Sequence, residues 1–116
     1  MTVQIQFIEG IKETTLPIIK LTRSRNGKTG TSTFIFINPI VFETNEYKKQ
    51  YISGMRLLWD NKSIVTNDVQ IIFKTGKPIL IKAILIFKNS KEWFHFLNFM
   101  QSYSKDSGLF FSEINS

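Results

Sequence analysis

The chain has 116 residues, a net charge of +6, 42% apolar and 14% aromatic residues, and no cysteine. It is long enough for one hydrophobic core and far too hydrophobic for a disordered tail, so one folded domain over 1–116 is expected. Disulfides and thiolate metal sites are excluded, and the positive balance calls for an anionic partner: nucleic acid, lipid headgroups or an acidic protein face.

The first residues, MTVQIQFIEGIKETT, carry no basic n-region, long apolar core or Arg/Ser-rich transit character. The expectation is a protein made in the compartment where it works. Heavy use of Ile, Lys, Asn and Phe points to an AT-rich genome, as in organelles and some bacteria. Val3 to Phe7 alternates apolar and polar, the period of a half-buried strand, and is a candidate sheet edge that a partner strand would extend. Leu16 to Arg23 and Thr33 to Ile37 are the next strands, the latter closed by Asn38–Pro39. Glu43 to Gln50 is polar and charged and reads as a surface loop.

Met55 to Trp59, a turn at Asp60–Ser63, and Ile64 to Lys74 form a strand–turn–strand pattern. Thr75–Gly76–Lys77–Pro78 is a further turn. Ile79 to Phe87 is the most apolar run, yet about half the roughly 20 residues that span a bilayer. Its alternate residues Ile79, Ile81, Ala83, Leu85 and Phe87 share one face, while Leu80, Lys82, Ile84 and Ile86 share the other. Apolar on both faces, it is expected to be central.

The period then changes to that of a helix. Asn89 stands as N-cap with Glu92 three residues on, a capping-box spacing. Trp93, Phe96, Leu97, Met100 and Tyr103 form one stripe, widened by Phe94 and Phe99, and Gly108 ends the helix. Leu109 to Glu113 adds a short last strand. The predicted class is α+β, mostly β: an antiparallel, or mixed, sheet of about five to six strands with one C-terminal amphipathic helix packed on it.

The segment LTRSRNGKTGTSTF concentrates charge. Asn26–Gly27 is a strong signal for a two-residue type I′ hairpin turn, because both positions tolerate positive φ. With those two as the turn, Arg25 faces Lys28, Ser24 faces Thr29, Arg23 faces Gly30 and Ile19 faces Phe34. Arg23, Arg25 and Lys28 then share one face at the tip, at a cost of a few tenths of a kcal/mol for opposed like charges. Such crowding suits an anionic or carbonyl-rich partner, although a plain solvated turn explains it as well. The P-loop pattern fails, because Thr22 stands where its first glycine belongs.

His95 is the sole histidine, without ligand-spaced partners, and reads as structural. The acidic residues show no paired-carboxylate pattern, and no nucleophile elbow is present, so catalytic, cofactor-binding and metal residues are all expected to be none. The aromatic helix reads as core rather than as a base-stacking platform. Thr33 to Ile37 lacks the glycines and basic residue of an RNA-binding sheet motif. A basic nucleic-acid-binding module using the same tip is the alternative, to be judged by gel-shift titration at physiological salt.

The run KLTRSRNGKTGTSTFIF, Gly54–Met55, IVTNDV, FKTGKP and the helix with Glu92–Trp93 to Phe96 together resemble one family over nearly the whole chain. It is that of the small soluble photosystem II assembly protein, also called the reaction-centre W or thirteen-kilodalton protein, here in a plastid-encoded form. Arg56 to Lys62 is less acidic than the family's usual turn, and Asn98 stands where a basic residue is common. The resemblance implies a non-catalytic extrinsic factor, without cofactor, on the stromal face of plastid thylakoids (cytoplasmic in cyanobacteria). It implies docking on stromal loops of the photosystem II reaction-centre subunits in immature or repairing complexes, with the inner antenna's C-terminal tail added to the sheet. Membrane association is then through protein partners, with no nucleic acid bound, and a monomer is expected in isolation. The partner-binding residues expected on this basis are Thr22, Arg23, Ser24, Arg25, Asn26, Gly27, Lys28 and Thr29.

Overall fold

A computed structural model describes residues 3–109 and, for the backbone alone, residues 112–115. The strands are β1 (Gln4–Ile8), β2 (Ile11–Lys12), β3 (Ile18–Arg23), β4 (Gly30–Ile37), β5 (Met55–Trp59), β6 (Lys62–Thr66), β7 (Val69–Lys74), β8 (Lys77–Phe87) and β9 (Ser112–Asn115). A 3-10 turn (Ile40–Glu43) and two helices, α1 (Asn45–Lys49) and α2 (Ser90–Ser107), complete the described residues. The class is α+β and mostly β, as expected. A five-stranded mixed sheet, in the order β7-β8-β4-β3-β9, carries it, and a second sheet in the order β2-β1-β5-β6 shares the same core.

Alternation explains which side of the larger sheet is inside. Gly30, Ser32, Phe34 and Phe36 on β4, and Ile81, Ala83, Leu85 and Phe87 on β8, are buried, while their neighbours on both strands point the other way. Phe7 of β1 meets Phe36 edge-on at 4.9 Å, joining the two sheets. α2 completes the core: Phe96 lies 4.8 Å from Phe87 and 6.1 Å from Phe34, and Phe99 lies 5.3 Å from Trp59. Buried aromatic side chains of this size dominate the burial energy of a small domain.

The helix begins and ends by the expected chemistry. Asn89 Oδ1 accepts from the Glu92 amide at 2.9 Å, and Glu92 reaches back to the Lys88 amide at 2.7 Å. Gly108 ends it at φ +75°, donating its amide to the Ser104 carbonyl. β8 is central, paired with β7 on one side and β4 on the other.

Five local expectations change. β1 is not an edge, because β5 pairs along one side and the short return strand β2 closes the other. Ile64 to Lys74 is not one strand: the Thr66 hydroxyl donates to the Ile84 carbonyl and the Asp68 carbonyl accepts from Ile84, so the chain crosses from one sheet to the other. An apolar pattern marks a strand but does not say which sheet it joins. Glu43 to Gln50 is not a plain loop, since Thr44 caps Tyr47 and starts α1. Phe94 does not widen the buried stripe of α2; it is 58% exposed, whereas Phe99 is buried. The last strand lies at Ser112–Asn115, parallel to β3; the expected Phe110 and Phe111 fall outside the described residues.

Candidate partner-binding site

β3 and β4 form the predicted hairpin in the predicted register, with Ile19 opposite Phe34 and Arg23 opposite Gly30. The Ser24 amide donates to the Thr29 carbonyl at 3.0 Å, closing the ladder. The turn inside it differs from expectation. Gly27 has φ +70°, but Asn26 is not in the left-handed region, so the type I′ turn does not form. Instead the Gly27 amide donates to the Ser24 carbonyl at 3.0 Å, which leaves Arg25 and Asn26 as the turn's central residues.

Side-chain chemistry explains that choice. The Ser24 hydroxyl donates to Asn26 Oδ1 at 2.6 Å, and the same oxygen accepts the Lys28 amide at 2.9 Å. The Thr29 amide donates to Ser24 Oγ at 3.2 Å. An Asn or Ser that binds nearby backbone offers the chain a turn other than the one its dipeptide favours. Type I′ turns form elsewhere instead. Asp60 and Asn61 both have positive φ between the paired Trp59 and Lys62, as do Thr75 and Gly76 between Lys74 and Lys77.

The three cations of the tip separate into two roles. Arg23 sits on the core side of β3: its Nε and Nη2 donate to the Gly27 carbonyl at 3.2 and 3.1 Å, and its guanidinium lies over the Trp93 ring at 5.4 Å and the Phe94 ring at 6.0 Å. It therefore ties the turn to α2, using the planar fork and the cation–π attraction that suit arginine. Arg25 and Lys28 are exposed, and among the described residues neither side chain has a hydrogen-bond or ionic partner. Thr22 faces Thr31 on the opposite, outer side of the sheet. The arrangement is a stitched loop that holds two solvated cations on a short, internally bonded backbone, which reduces the ordering cost of docking.

Residues outside the predicted set support this tip. A Cβ at Gly30 would stand 2.8 Å from the Trp93 ring, so glycine there lets the indole lie against β4 while Arg23 of β3 lies over the same ring. A glycine inside a strand pattern is the sequence signal for such a close approach. His95 is exposed beside Trp59, with ring centres 4.9 Å apart. Asn98 accepts from the Trp59 indole at 2.8 Å and from Lys62 at 3.3 Å, a use for this residue that a basic side chain cannot fill.

Residues 5–111 match the model of a family described as Psb28 protein. The chain is 45% identical over 112 residues, 97% of each chain, to a photosystem II reaction center Psb28 protein of Guillardia theta. It is 43% identical over 112 residues, again 97% of each, to the protein so named in Pyropia yezoensis. The protein so named in Rippkaea orientalis is 42% identical over 110 residues, 95% of each chain.

Proposed function

The chain belongs to the Psb28 protein family, and we propose that it is a non-catalytic extrinsic assembly and repair factor of photosystem II. It binds the stromal acceptor side of immature complexes (the cytoplasmic side if its source is cyanobacterial) through loops of the reaction-centre subunits. One sheet edge receives the antenna's C-terminal tail. In a plastid it works at the thylakoid surface, held there by protein partners; no helix among the described residues is long and apolar enough to cross a membrane. Binding holds the acceptor-side loops in their immature arrangement, which requires tighter affinity for the immature than for the finished complex.

The observation that carries this reading is the hairpin tip, where Arg25 and Lys28 stand exposed on a backbone fixed by five hydrogen bonds among Ser24, Asn26, Gly27, Lys28 and Thr29. Exposed cations on a rigid finger steer and orient docking on an acidic or carbonyl-rich surface. Arg23 contributes by holding the finger against α2. The test is the double variant Arg25→Glu/Lys28→Glu, which leaves the stitched backbone untouched. Its co-purification with immature photosystem II is expected to fall at least about tenfold; full retention removes the tip from the interface.

A further inference from the structure

The larger sheet has two faces, and only one is used by the core. On the outer face Ile18, Ile37, Ile72 and Ile86 are 49, 54, 41 and 65% exposed, and Ile35, Leu80 and Ile84 lie between them. The registers place these side chains next to one another. Ile37, Leu80 and Ile72 form a row across β4, β8 and β7; Ile18 and Ile35 lie in the next row, which Lys82 and Gln70 complete on β8 and β7. A contiguous set of branched aliphatic side chains on the surface marks an interaction site, whereas scattered ones do not.

Charge and position say what covers it. Lys20 and Lys82 stand in the same face, and none of the outward residues of β3, β4, β7 and β8 is acidic. A second copy docked on itself would bring those lysines into a shared apolar interface without a counter-charge. A lipid surface is favoured by a belt of aromatic anchors, whereas the outward residues are aliphatic, threonine, glutamine and lysine, with the exposed Phe73 opposite Pro78 at one corner. The row Thr22, Thr31 and Ile86 is the one next to the hairpin tip, so the apolar face reaches the tip's row along β8, through Ile84 and Ile86, while Lys20, Thr22, Thr31 and Thr33 fill the same rows on β3 and β4.

We infer that the outer face of the five-stranded sheet is the second half of the docking surface, and that it takes a protein face of aliphatic side chains with carboxylates set over Lys20 and Lys82. The inference rests on the photosystem II reading and adds to it a surface, a partner chemistry and an orientation. The tip supplies charge and the adjoining sheet supplies apolar area, as an interface with a buried centre and a charged rim requires.

The full-length chain, Ile86→Glu, Ile37→Glu and Arg25→Glu/Lys28→Glu are each immobilised and titrated with detergent-solubilised immature photosystem II. Ile86→Thr serves as a milder replacement should the glutamate lower the melting temperature. Each face variant is expected to bind about tenfold more weakly at unchanged melting temperature. Face variants that bind like the wild type while the tip variant fails overturn this inference and leave the proposed function standing. Failure of the wild type to bind overturns both. Concentration-dependent dimerisation abolished by Ile86→Glu assigns the face to a second copy, and binding to phosphatidylglycerol–phosphatidylcholine vesicles abolished by it assigns the face to lipid; either overturns the inference.

Discussion

Arg23 shows how a charged residue in a basic cluster is a structural part first. Its fork holds the Gly27 carbonyl and its plane lies over Trp93, so its value depends on shape as well as charge. Arg23→Lys keeps the charge and loses the fork; it is expected to cost about 1 kcal/mol in a urea titration and to speed amide exchange at Gly27. Unchanged stability and exchange contradict the strut. The carboxylate of Glu13, 3% exposed, is a second such part, accepting the amides of Thr15, Ile40 and Val41 at 3.0–3.1 Å and so fixing the start of the 3-10 turn. Burial first, then the nearby Glu13 and Asp106, push the Tyr103 phenol up to about 12 from 10.0. The folded state thus keeps this proton after the unfolded chain has released it. The stability that the protonated phenol contributes is full below pH 10 and is lost as pH climbs through about 12. Urea midpoints of the wild type are expected to fall more steeply across that window than those of Tyr103→Phe; equal slopes refute the linkage.

At the scale of elements, the turns carry the main lesson. Thr75 is a β-branched residue held at φ +49° in a two-residue hairpin turn before Gly76. Such a residue is strained in the left-handed region, whereas Asn tolerates it. Thr75→Asn is therefore expected to raise stability by about 0.5–1 kcal/mol, read as a higher melting temperature; a lower one contradicts the strain. Strands β3, β4, β5 and β8 and helix α2 were legible because each has a clear period and a chemical stop. The Asn26–Gly27 turn misled because Ser24 and Asn26 bond locally in a way that a dipeptide rule ignores. Phe94 misled for a different reason: it sits beside the stripe, and only the position of Arg23 explains what it touches.

For the whole molecule, sequence pattern identified the class and the faces of β8 but not the partition into two sheets, since Asn67–Asp68 is too short to announce a crossover. The candidate site was legible only as a charged segment; the separation of Arg23 from Arg25 and Lys28 was not, because it depends on the long-range contact with Trp93 and on Gly30 admitting that ring. Stitched tip, apolar sheet face and aromatic helix then form one body, in which α2 steadies the hairpin from the inside and leaves its outside exposed. The central claim is that this body prefers one state of photosystem II over another. Equilibrium titration of the wild-type chain against purified immature and finished complexes tests it most directly: at least about tenfold tighter binding to the immature form, a preference of about 1.4 kcal/mol, is expected. Equal affinities for the two would contradict it.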